Sequence, residues 1–385
     1  MLDIFCPECN TQQTLSPQRW RCDCGGAWEP VERTDFNPAH IDLPDFSLWR
    51  YRRAFGLTFQ DPIARLGAGW TPLLPLAFGG REVLFKPEYI APTASFKDRG
   101  TAIMINILAQ QGATHVIDDS SGNAGASVAA YAARAGIRAE IFVPAYASPA
   151  KQAQIAVYGA DVRPVPGPRV NAKRAAWEAA GQGAVMASHA YHPGFLLGQQ
   201  SLAWELWEQL GRRAPDCYVV PVGQGLHLLG VWLGFRRLRA AGLVERLPRM
   251  MAVQPALLAP LYRALQAGLE TVPPVELAAS SVAEGPVLSV AEGPVLSVAE
   301  GLAVAGPVRG RRLLQALRET GGTCVTVEDE ATLQAQRQLA RRGLYVEPTS
   351  ATAVAALEVV LQQVAPGETV VVPLTGSGLK GSPQL

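Results

Sequence analysis

Three loops of small residues, each directly after an apolar run, most constrain what this 385-residue chain can fold into. The loops cover residues 120–125, 223–225 and 375–378, and the run before each of them is strand-like. An open parallel sheet binds its ligand in the crevice at the carboxyl ends of its strands, which is where such loops lie. The sequence therefore predicts an α/β protein with its functional residues in these loops.

The same alternation of strand, loop and helix extends along the chain. Glycine follows several of the predicted helices, as expected of a left-handed C-terminal turn. Alternation of this kind predicts parallel sheets with right-handed crossovers, and the length of the chain predicts two domains. We expect a large α/β domain made of residues 31–100 and 195–385 and a small α/β domain made of residues 101–194.

The composition points to an enzyme rather than to a nucleic-acid-binding or membrane protein. The net charge is +1, and no basic stripe suggests a nucleic-acid partner. No run of about 18 apolar residues predicts a membrane span. The first residues lack the basic start and apolar core of a signal peptide. We expect a cytoplasmic protein that acts on a small molecule.

Four of the six cysteines lie near the amino terminus, in a predicted arm of residues 1–30. Cys6 and Cys9 have the spacing of a zinc-ribbon knuckle, and Cys22 and Cys24 form a second pair that is one residue short. Four thiolates can close a tetrahedral zinc site and fold a segment that is too short for its own core. The alternative is a docked arm of reduced thiols without metal.

Lys97 is the candidate nucleophile. It follows small and hydroxyl residues and precedes a long apolar run that is typical of a helix. At such a corner, beside Phe96, a lysine loses solvation, which favours the neutral amine and makes it reactive toward a carbonyl. The alternative is a solvated surface lysine, the usual state of this residue type.

The motifs resemble those of a known family. Residues 92–100 read Pro-Thr-Ala-Ser-Phe-Lys-Asp-Arg-Gly, and residues 120–125 read Ser-Ser-Gly-Asn-Ala-Gly. Together they resemble the threonine synthase family of pyridoxal-phosphate enzymes, over residues 66–380. The resemblance implies the two-domain pyridoxal-phosphate fold of type II with parallel twisted sheets, a homodimer, and Lys97 as the residue that carries the cofactor and moves the substrate α proton.

Pyridoxal 5′-phosphate also needs an anion cradle, and the 223–227 loop fits this role. Its glycines let backbone N–H groups approach a phosphate, and the following helix offers its positive end. The residues concerned are Gly223, Gln224, Gly225, Leu226 and His227. His227 departs from the small or amide residues expected of relatives, and it either adds a donor to the phosphate or faces solvent.

Two further groups complete the predicted cofactor and substrate contacts. Asn123 fits an amide donor to the 3′ oxygen of the cofactor, and Thr375 fits a neutral hydroxyl at the pyridine nitrogen, with Ser377 as its rival. The N–H groups of the turn around Asn123 would bind the substrate α-carboxylate. That turn comprises Ser121, Gly122 and Ala124. The alternative is an ordinary strand-to-helix turn with an N-cap.

The substrate prediction depends on residues 188–201. Phosphohomoserine-using relatives resemble Asn-Pro-x-Arg-x-x-Gly-Gln-Lys-Thr here, but this chain has His192, Phe195 and Gln200 where the asparagine, arginine and lysine are expected. The first prediction is a threonine-synthase-like lyase that converts O-phosphohomoserine to threonine and phosphate. The missing cations favour an alternative on a non-phosphorylated amino acid: a serine or threonine dehydratase, a diaminopropionate ammonia-lyase or a β-replacement synthase. A third reading is a non-catalytic cofactor-binding module.

An octapeptide repeat interrupts the α/β pattern. Ser-Val-Ala-Glu-Gly-Pro-Val-Leu occupies residues 281–288 and recurs at 289–296, and residues 297–304 are a third, altered copy. Units this short do not bury a core of their own. We predict that residues 281–296 are a duplicated insertion on the surface, and the alternative is a functional lid.

Overall fold

A computed structural model describes residues 2–57, 62–275 and 297–381. The predicted insertion at 281–296 lies outside the described residues. Among the helices of the described ranges, none combines the length and the apolar character that crossing a bilayer requires.

The described residues alternate between strands and helices along most of the chain. The strands are β1 (Asp3–Phe5), β2 (Gln12–Thr14), β3 (Glu29–Pro30), β4 (Leu74–Phe78), β5 (Arg81–Lys86), β6 (His115–Asp118), β7 (Arg138–Pro144), β8 (Asp161–Val165), β9 (Val185–Met186), β10 (Cys217–Pro221), β11 (Arg249–Pro255), β12 (Thr323–Val327) and β13 (Val370–Pro373). The α-helices are α1 (Lys97–Gln110), α2 (Asn123–Ala135), α3 (Pro149–Ala156), α4 (Arg169–Gly181), α5 (Pro193–Gln199), α6 (Ser201–Gln209), α7 (Leu226–Ala240), α8 (Pro260–Gln266), α9 (Gly310–Glu319), α10 (Asp329–Ala340), α11 (Pro348–Ala355) and α12 (Leu357–Leu361).

The first of two compact units contains the N-terminal arm and a four-stranded sheet. Its described residues are 2–57, 62–70 and 91–201. The sheet has the order β8-β7-β6-β9, and every neighbouring pair is parallel. Helix α1 is buried from Asp98 to Leu108; this stretch is mostly apolar or small but includes the polar side chains of Asp98, Arg99 and Asn106. The arm forms a separate antiparallel sheet in the order β2-β1-β3.

The second unit is built on a six-stranded sheet. Its described residues are 71–90, 202–275 and 297–381. The strand order is β12-β11-β10-β13-β5-β4. Side chains from one face of the sheet form a core with helices α10, α11 and α12, including Val83, Phe85, Val253 and Leu357. Strands β10 and β13 are hydrogen-bonded parallel neighbours, so the loops that leave their carboxyl ends lie at the same edge of the sheet.

The prediction of parallel sheets holds for the sheet of the first unit and is wrong at one edge of the second. Strand β4 runs antiparallel to β5, while the other neighbouring pairs of that sheet are parallel. Gly79 and Gly80 connect β4 to β5 with φ values of 56° and 76°. Two consecutive residues with positive φ form the tight turn of a β-hairpin, which reverses the chain within two residues.

The compact units divide the chain at places other than the predicted boundaries of 31–100, 101–194 and 195–385. Residues 31–57, 62–70, 91–100 and 195–201 all belong with the first unit. The physical reason is the packing of α1 on α5, where glycines allow close approach. A Cβ on Gly198 would overlap the backbone of Arg99, and a Cβ on Gly100 would lie 2.6 Å from the Phe195 ring.

Candidate active site

Lys97 is the first residue of α1, and a buried carboxylate fixes the turn that precedes it. Asp98 is fully buried and accepts hydrogen bonds from the N–H of Thr93 at 2.7 Å and from the Thr93 hydroxyl at 2.6 Å. Ser127 of α2 donates a third bond to Asp98 at 2.6 Å. Ala94 within this turn has a φ of 59°, which is costly for a residue with a Cβ. The hydrogen bonds to Asp98 therefore hold the turn that carries Lys97 against α2.

The Lys97 ammonium lies 3.7 Å from the centre of the Phe96 ring. The Gln199 side chain of α5 donates to the Phe96 carbonyl at 3.1 Å. These contacts hold the residue before the lysine in place. Sequence reasoning singled out Lys97 but missed Asp98; its adjacency to the lysine, with Thr93 five positions earlier, was the available signal.

The loop at 120–125 turns tightly into α2, of which Asn123 is the first residue. The Ser120 hydroxyl accepts a hydrogen bond from the Gly122 N–H at 3.3 Å, and a Cβ on Gly125 would overlap the Ser120 carbonyl. No side chain caps the helix, so the alternative of an ordinary turn with a side-chain N-cap is wrong. An uncapped first turn presents N–H groups and a positive dipole end to an anion. Lys97 and Asn123 thus begin two helices that pack against each other.

Asp118 and His189, two buried ionisable side chains, lie at the carboxyl ends of neighbouring strands in the four-stranded sheet of the first unit. The sequence analysis did not predict either of them. Asp118 ends β6, and burial raises its pKa well above the usual range, with the negative charge of Asp119 as a further cause. His189 follows β9, whose extension pairs with β6 through an N–H···O bond from Ala187 to Ile117 at 2.8 Å. The Asp-Asp pair at the end of an apolar strand was the available signal.

His189 is held in its neutral form. Burial lowers its pKa to about 3, and the positive charges of Lys97 and Arg169 act in the same direction. Its Nδ1 is buried, and none of the residues that the structure describes offers it a hydrogen bond. Its ring meets the Phe195 ring edge-on at 5.9 Å.

In the substrate segment, residues 188–201, a histidine caps a helix and the two expected cations are absent. His192 caps α5, because its Nδ1 accepts the Gly194 N–H at 3.1 Å. The Phe195 ring is fully buried and lies against Gly100 of α1. Gln200 is also buried. The positions of the expected arginine and lysine are therefore occupied by an apolar and a neutral side chain.

In the second unit, the 223–225 loop connects β10 to α7. Gly225 has a φ of 79°, and a Cβ there would overlap the Leu313 side chain, while a Cβ on Gly223 would lie 2.8 Å from the Gly301 carbonyl. The Gln224 side chain accepts the Val308 N–H at 3.1 Å. No side chain caps α7. A glycine loop that opens an uncapped helix fits a phosphate group.

His227 in the first turn of α7 is buried rather than solvent-facing. Its Nε2 lies 2.6 Å from the Tyr218 hydroxyl, and the two rings are parallel at 6.0 Å. The prediction's second possibility, that His227 faces solvent, is wrong. Tyr218 on β10 holds the imidazole within the unit because a buried ring nitrogen needs a partner.

Thr375 follows β13 at the sheet edge that also carries the 223–225 loop. Its hydroxyl lies 2.9 Å from the Ser350 hydroxyl of α11, and Ser350 accepts the Gly376 N–H at 2.8 Å. Ser377, the rival of Thr375, instead accepts the Leu379 N–H at 3.2 Å. It caps the short 3₁₀ helix Gly378–Lys380. Ser350 is thus a neighbour of the site that the sequence did not single out, although it lies in a Glu-Pro-Thr-Ser-Ala motif.

Lys86 at the end of β5 is a structural lysine. It is fully buried, forms an ion pair with the equally buried Glu205, and donates to the Thr71 carbonyl and to Gln209 at 2.8 Å. A buried ammonium with three acceptors is held in its charged form. Lys86 is therefore a poor competitor of Lys97 as the nucleophile.

The four cysteines of the arm converge. The Sγ atoms of Cys6, Cys9, Cys22 and Cys24 all lie within 4.8 Å of one another. A Cβ on Gly26 would lie 2.7 Å from the Cys6 Sγ, so only glycine fits beside the cluster. A hydrogen bond with Thr11 lowers the pKa of Cys9 to about 6, and burial raises that of Cys6 to about 12.

The other two cysteines, Cys217 and Cys324, are buried in strands, and burial raises their pKa values.

Comparison with known proteins identifies the family of the chain. Residues 64–376 match the family described as pyridoxal-phosphate dependent enzyme. A threonine synthase of Methanosarcina acetivorans is 30% identical over 99% of this chain and 92% of its own length. A threonine synthase of Synechocystis sp. is 34% identical over 86% of this chain and 82% of its own length.

Solved structures give the same fold. The chain superposes on a threonine deaminase of T.th. with a TM-score of 0.66 and 28% identity, over 81% of this chain and 94% of the other. It matches maize serine racemase with a TM-score of 0.66 over 80% of this chain and 88% of the other, and at 22% identity that likeness concerns the fold. The chain belongs to the pyridoxal-phosphate-dependent enzymes, as a lyase whose curated relatives over most of its length are threonine synthases.

Proposed function

We propose that this lyase binds pyridoxal 5′-phosphate through Lys97 and acts on a small amino acid in the manner of threonine synthase. The observation that carries the proposal is the placement of the predicted contacts at helix starts and strand ends where the backbone can approach a ligand. Lys97 and Asn123 open helices of the first unit, and the 223–227 loop and Thr375 lie at one sheet edge of the second.

The second unit supplies the cradle for the cofactor. The N–H groups of Gly223 to His227 would hold its phosphate at the uncapped start of α7. The Thr375 hydroxyl, supported by Ser350, would meet the pyridine nitrogen. Because a hydroxyl is neutral, it leaves this nitrogen less strongly charged than an aspartate would. When bound, pyridoxal phosphate withdraws electrons from the substrate α carbon and so labilises bonds at the α, β and γ carbons.

The first unit supplies the proton transfer and the carboxylate site. Lys97 would hold the cofactor covalently, and its Nζ would take the substrate α proton. The N–H groups of Ser121, Gly122 and Ala124 bind the α-carboxylate at the uncapped start of α2, and Asn123 donates to the 3′ oxygen of the cofactor. Neutral His189 places no second positive charge beside Lys97.

A second candidate reaction, elimination from a non-phosphorylated amino acid, is favoured by one observation in the substrate segment. Phe195 and Gln200 occupy the positions where a phosphate clamp needs an arginine and a lysine, and the Phe195 ring is sealed against Gly100. A phosphate dianion removed from water requires charge-assisted donors. The dehydratase, ammonia-lyase and β-replacement reactions do not require this clamp.

A substrate panel distinguishes the two candidates. The holoenzyme is incubated with O-phosphohomoserine, serine, threonine and diaminopropionate, and the release of phosphate, ammonia and keto acid is measured for each. Phosphate together with threonine supports the threonine synthase reaction, and ammonia with keto acid supports the second candidate. A protein that shows the lysine-dependent visible band but turns over none of them is a cofactor-binding module, which overturns the proposal of a lyase.

We also propose that the four cysteines of the arm bind one structural zinc ion. The close approach of the four Sγ atoms, two from each knuckle, supports a tetrahedral Cys₄ site. The cluster comprises Cys6, Cys9, Cys22 and Cys24. Metal analysis of protein purified without chelator is expected to give one zinc per chain, and none in a Cys9→Ser/Cys22→Ser variant.

The proposal extends to assembly and location. The resemblance to threonine synthases supports a homodimer, which light scattering on the purified holoenzyme tests. Four thiols gathered without a disulfide among them fit a reducing compartment and hence the cytoplasm. Fractionation of the source cells tests the location.

A further inference from the structure

The N-terminal arm contacts the substrate segment through an aromatic cluster formed by Trp20, Trp177 and Tyr191. The Trp20 ring lies 5.2 Å from the Trp177 ring of α4 and 5.2 Å from the Tyr191 ring, which it meets edge-on. Trp177 and Tyr191 also meet edge-on, at 6.0 Å. Arg21 adds its guanidinium 4.2 Å from the centre of the Trp177 ring. These are the separations at which aromatic and cation–π contacts stabilise a structure.

The other side of the second cysteine knuckle leads to the same segment. The chain continues from Gly26 into β3, whose two residues are buried and pack against α5. Strand β3 pairs with β1, with Ile4 opposite Pro30, and β1 leads directly to Cys6. Trp20, which lies before the second cysteine pair, and strand β3, which lies after it, therefore both contact residues 188–201.

The cysteine cluster lies next to these contacts in the sequence. Trp20 and Arg21 immediately precede Cys22, one of the four clustered cysteines. The three strands of the arm are two or three residues long, which is too little to bury a core. A metal that links Cys22 and Cys24 to Cys6 and Cys9 would hold the arm in one shape.

We propose that the metal-loaded arm positions the substrate segment, with Trp20 and Arg21 holding Tyr191 and Trp177 in place. Tyr191 lies two residues after His189 and four before Phe195, so its placement sets the geometry of the stretch that distinguishes this chain from phosphohomoserine-using relatives. The inference rests on the proposed metal site and on the proposed role of residues 188–201. It makes Trp20 a positioning residue that acts through Tyr191.

Amide hydrogen exchange of the holoenzyme tests the proposal, with peptides that cover residues 185–200 as the readout. In Trp20→Ala, exchange in these peptides is expected to rise about tenfold, since the loss of two aromatic contacts shifts a local opening equilibrium by roughly that factor. Trp20→Phe keeps an aromatic ring and is expected to restore most of the protection. Arg19→Ala is the matched control: Arg19 precedes Trp20, but its side chain is exposed and bonds only to Gln13 among the residues described.

Removal of zinc from the holoenzyme by a chelator is expected to reproduce the effect of Trp20→Ala in the same peptides. Trp20→Ala itself is expected to retain one zinc per chain. The effect of losing the Trp20 ring contacts can then be distinguished from the effect of losing the metal. Unchanged exchange at 185–200 in Trp20→Ala, or an equal rise in Trp20→Phe and Arg19→Ala, would overturn the proposal. Unchanged exchange after zinc loss would overturn the part assigned to the metal.

These outcomes are independent of the proposed reaction. Visible absorbance of the lysine-bound cofactor and turnover in the substrate panel are measured on the same samples. Loss of protection at 185–200 with no turnover of any amino acid supports the positioning role while overturning the lyase. Full turnover with unchanged exchange at 185–200 in Trp20→Ala supports the lyase and overturns the positioning role.

Discussion

At the scale of single residues, the chemistry depends on how neighbours fix a few side chains. Asp98 is the clearest case, because its buried carboxylate accepts three hydrogen bonds and so anchors the turn that presents Lys97. Buried carboxylates are stable only when their oxygens are satisfied in this way. The alternative lysine, Lys86, is satisfied by Glu205 and belongs to the core.

Lys97→Ala is expected to lose the visible absorbance band of the lysine-bound cofactor and its covalent attachment after borohydride reduction. The reason is that no other lysine of the described residues is the first residue of a helix. Absorbance spectra and mass mapping of the reduced protein check this, with Lys151→Ala on α3 as the control. A reduced adduct that persists on another lysine of the Lys97→Ala protein would contradict the assignment.

Phosphate release from O-phosphohomoserine is expected to be slow in the parent protein. Two missing charge-assisted donors correspond to roughly 3–6 kcal/mol, or about two to four decades in kcat/KM. Gln200→Lys and Phe195→Arg/Gln200→Lys are expected to raise the rate, measured as steady-state phosphate release beside ammonia release from serine and threonine. Because Phe195 is sealed against Gly100, the double variant is first checked for folding, and Gln200→Lys alone serves if it unfolds.

Efficient phosphate release by the parent protein, unimproved in either variant, would contradict this expectation. It would show that other cations of the chain bind the phosphate. The threonine synthase reaction would then stand without the second candidate.

His189 is expected to make the protein less stable in acid. Its pKa is near 6.5 when unfolded and about 3 when folded. Between these values the unfolded chain binds a proton that the folded chain does not, so stability is lost as the pH falls from 6.5 toward 3. His189→Asn, which does not titrate, is expected to flatten this dependence, as measured by urea unfolding at neutral pH and within the window. An equal loss of stability in parent and variant would contradict the buried neutral form.

At the scale of elements, several of the proposed cofactor and substrate contacts lie at the first residues of helices. Helices α2 and α7, assigned to the substrate carboxylate and the cofactor phosphate, begin without a side-chain cap, as do α1, α4 and α8 to α12, so the missing cap leaves N–H groups available but does not by itself mark a site. Helix α5, assigned to neither anion, is capped by His192. An uncapped helix start leaves N–H groups for a ligand, whereas a capped one is satisfied within the chain.

His192→Ala is expected to lower the free energy of unfolding by about 1 kcal/mol, the usual value of an N-cap. His192→Asn is expected to be close to neutral, because an asparagine side chain can accept the same Gly194 N–H. Denaturant unfolding of the three proteins measures the difference. An alanine variant as stable as the parent would show that the imidazole contributes nothing as a cap.

At the scale of the whole molecule, the third copy of the octapeptide is part of the fold. The Ser297 hydroxyl donates to Asp329 at 2.7 Å, and the Val298 N–H donates to the same carboxylate at 3.1 Å. Gly301 of this copy lies against Gly223 of the proposed phosphate loop.

Deletion of residues 281–296 joins Ser280 to Ser297 and keeps this docked copy. The variant is expected to melt at or above the temperature of the parent and to keep its activity, because loop closure costs only about 0.6 kcal/mol per doubling of length. Thermal unfolding and turnover measure the two effects. Asp329→Ala, which removes the anchor of the third copy, is the contrasting variant and is expected to cost about 1–3 kcal/mol. A large fall in turnover of an intact deletion variant would mark the segment as a lid.

The sequence alone determined the family, the cofactor and the alternation of strands and helices. These are local properties: a motif such as Ser-Phe-Lys-Asp-Arg-Gly is read without its surroundings, and periodicity depends on neighbours within one element. The roles of the individual site residues stay predictions until the experiments above are done.

Only the tertiary structure decided which side chains are satisfied by partners distant in sequence. Ser350 meets Thr375 across 25 positions, Ser127 meets Asp98 across 29, and Glu205 meets Lys86 across 119. It also decided that Tyr218 buries His227, and that Trp20 reaches Trp177 and Tyr191. Burial and pairing of this kind arise when elements pack, and no local pattern encodes which surfaces will meet.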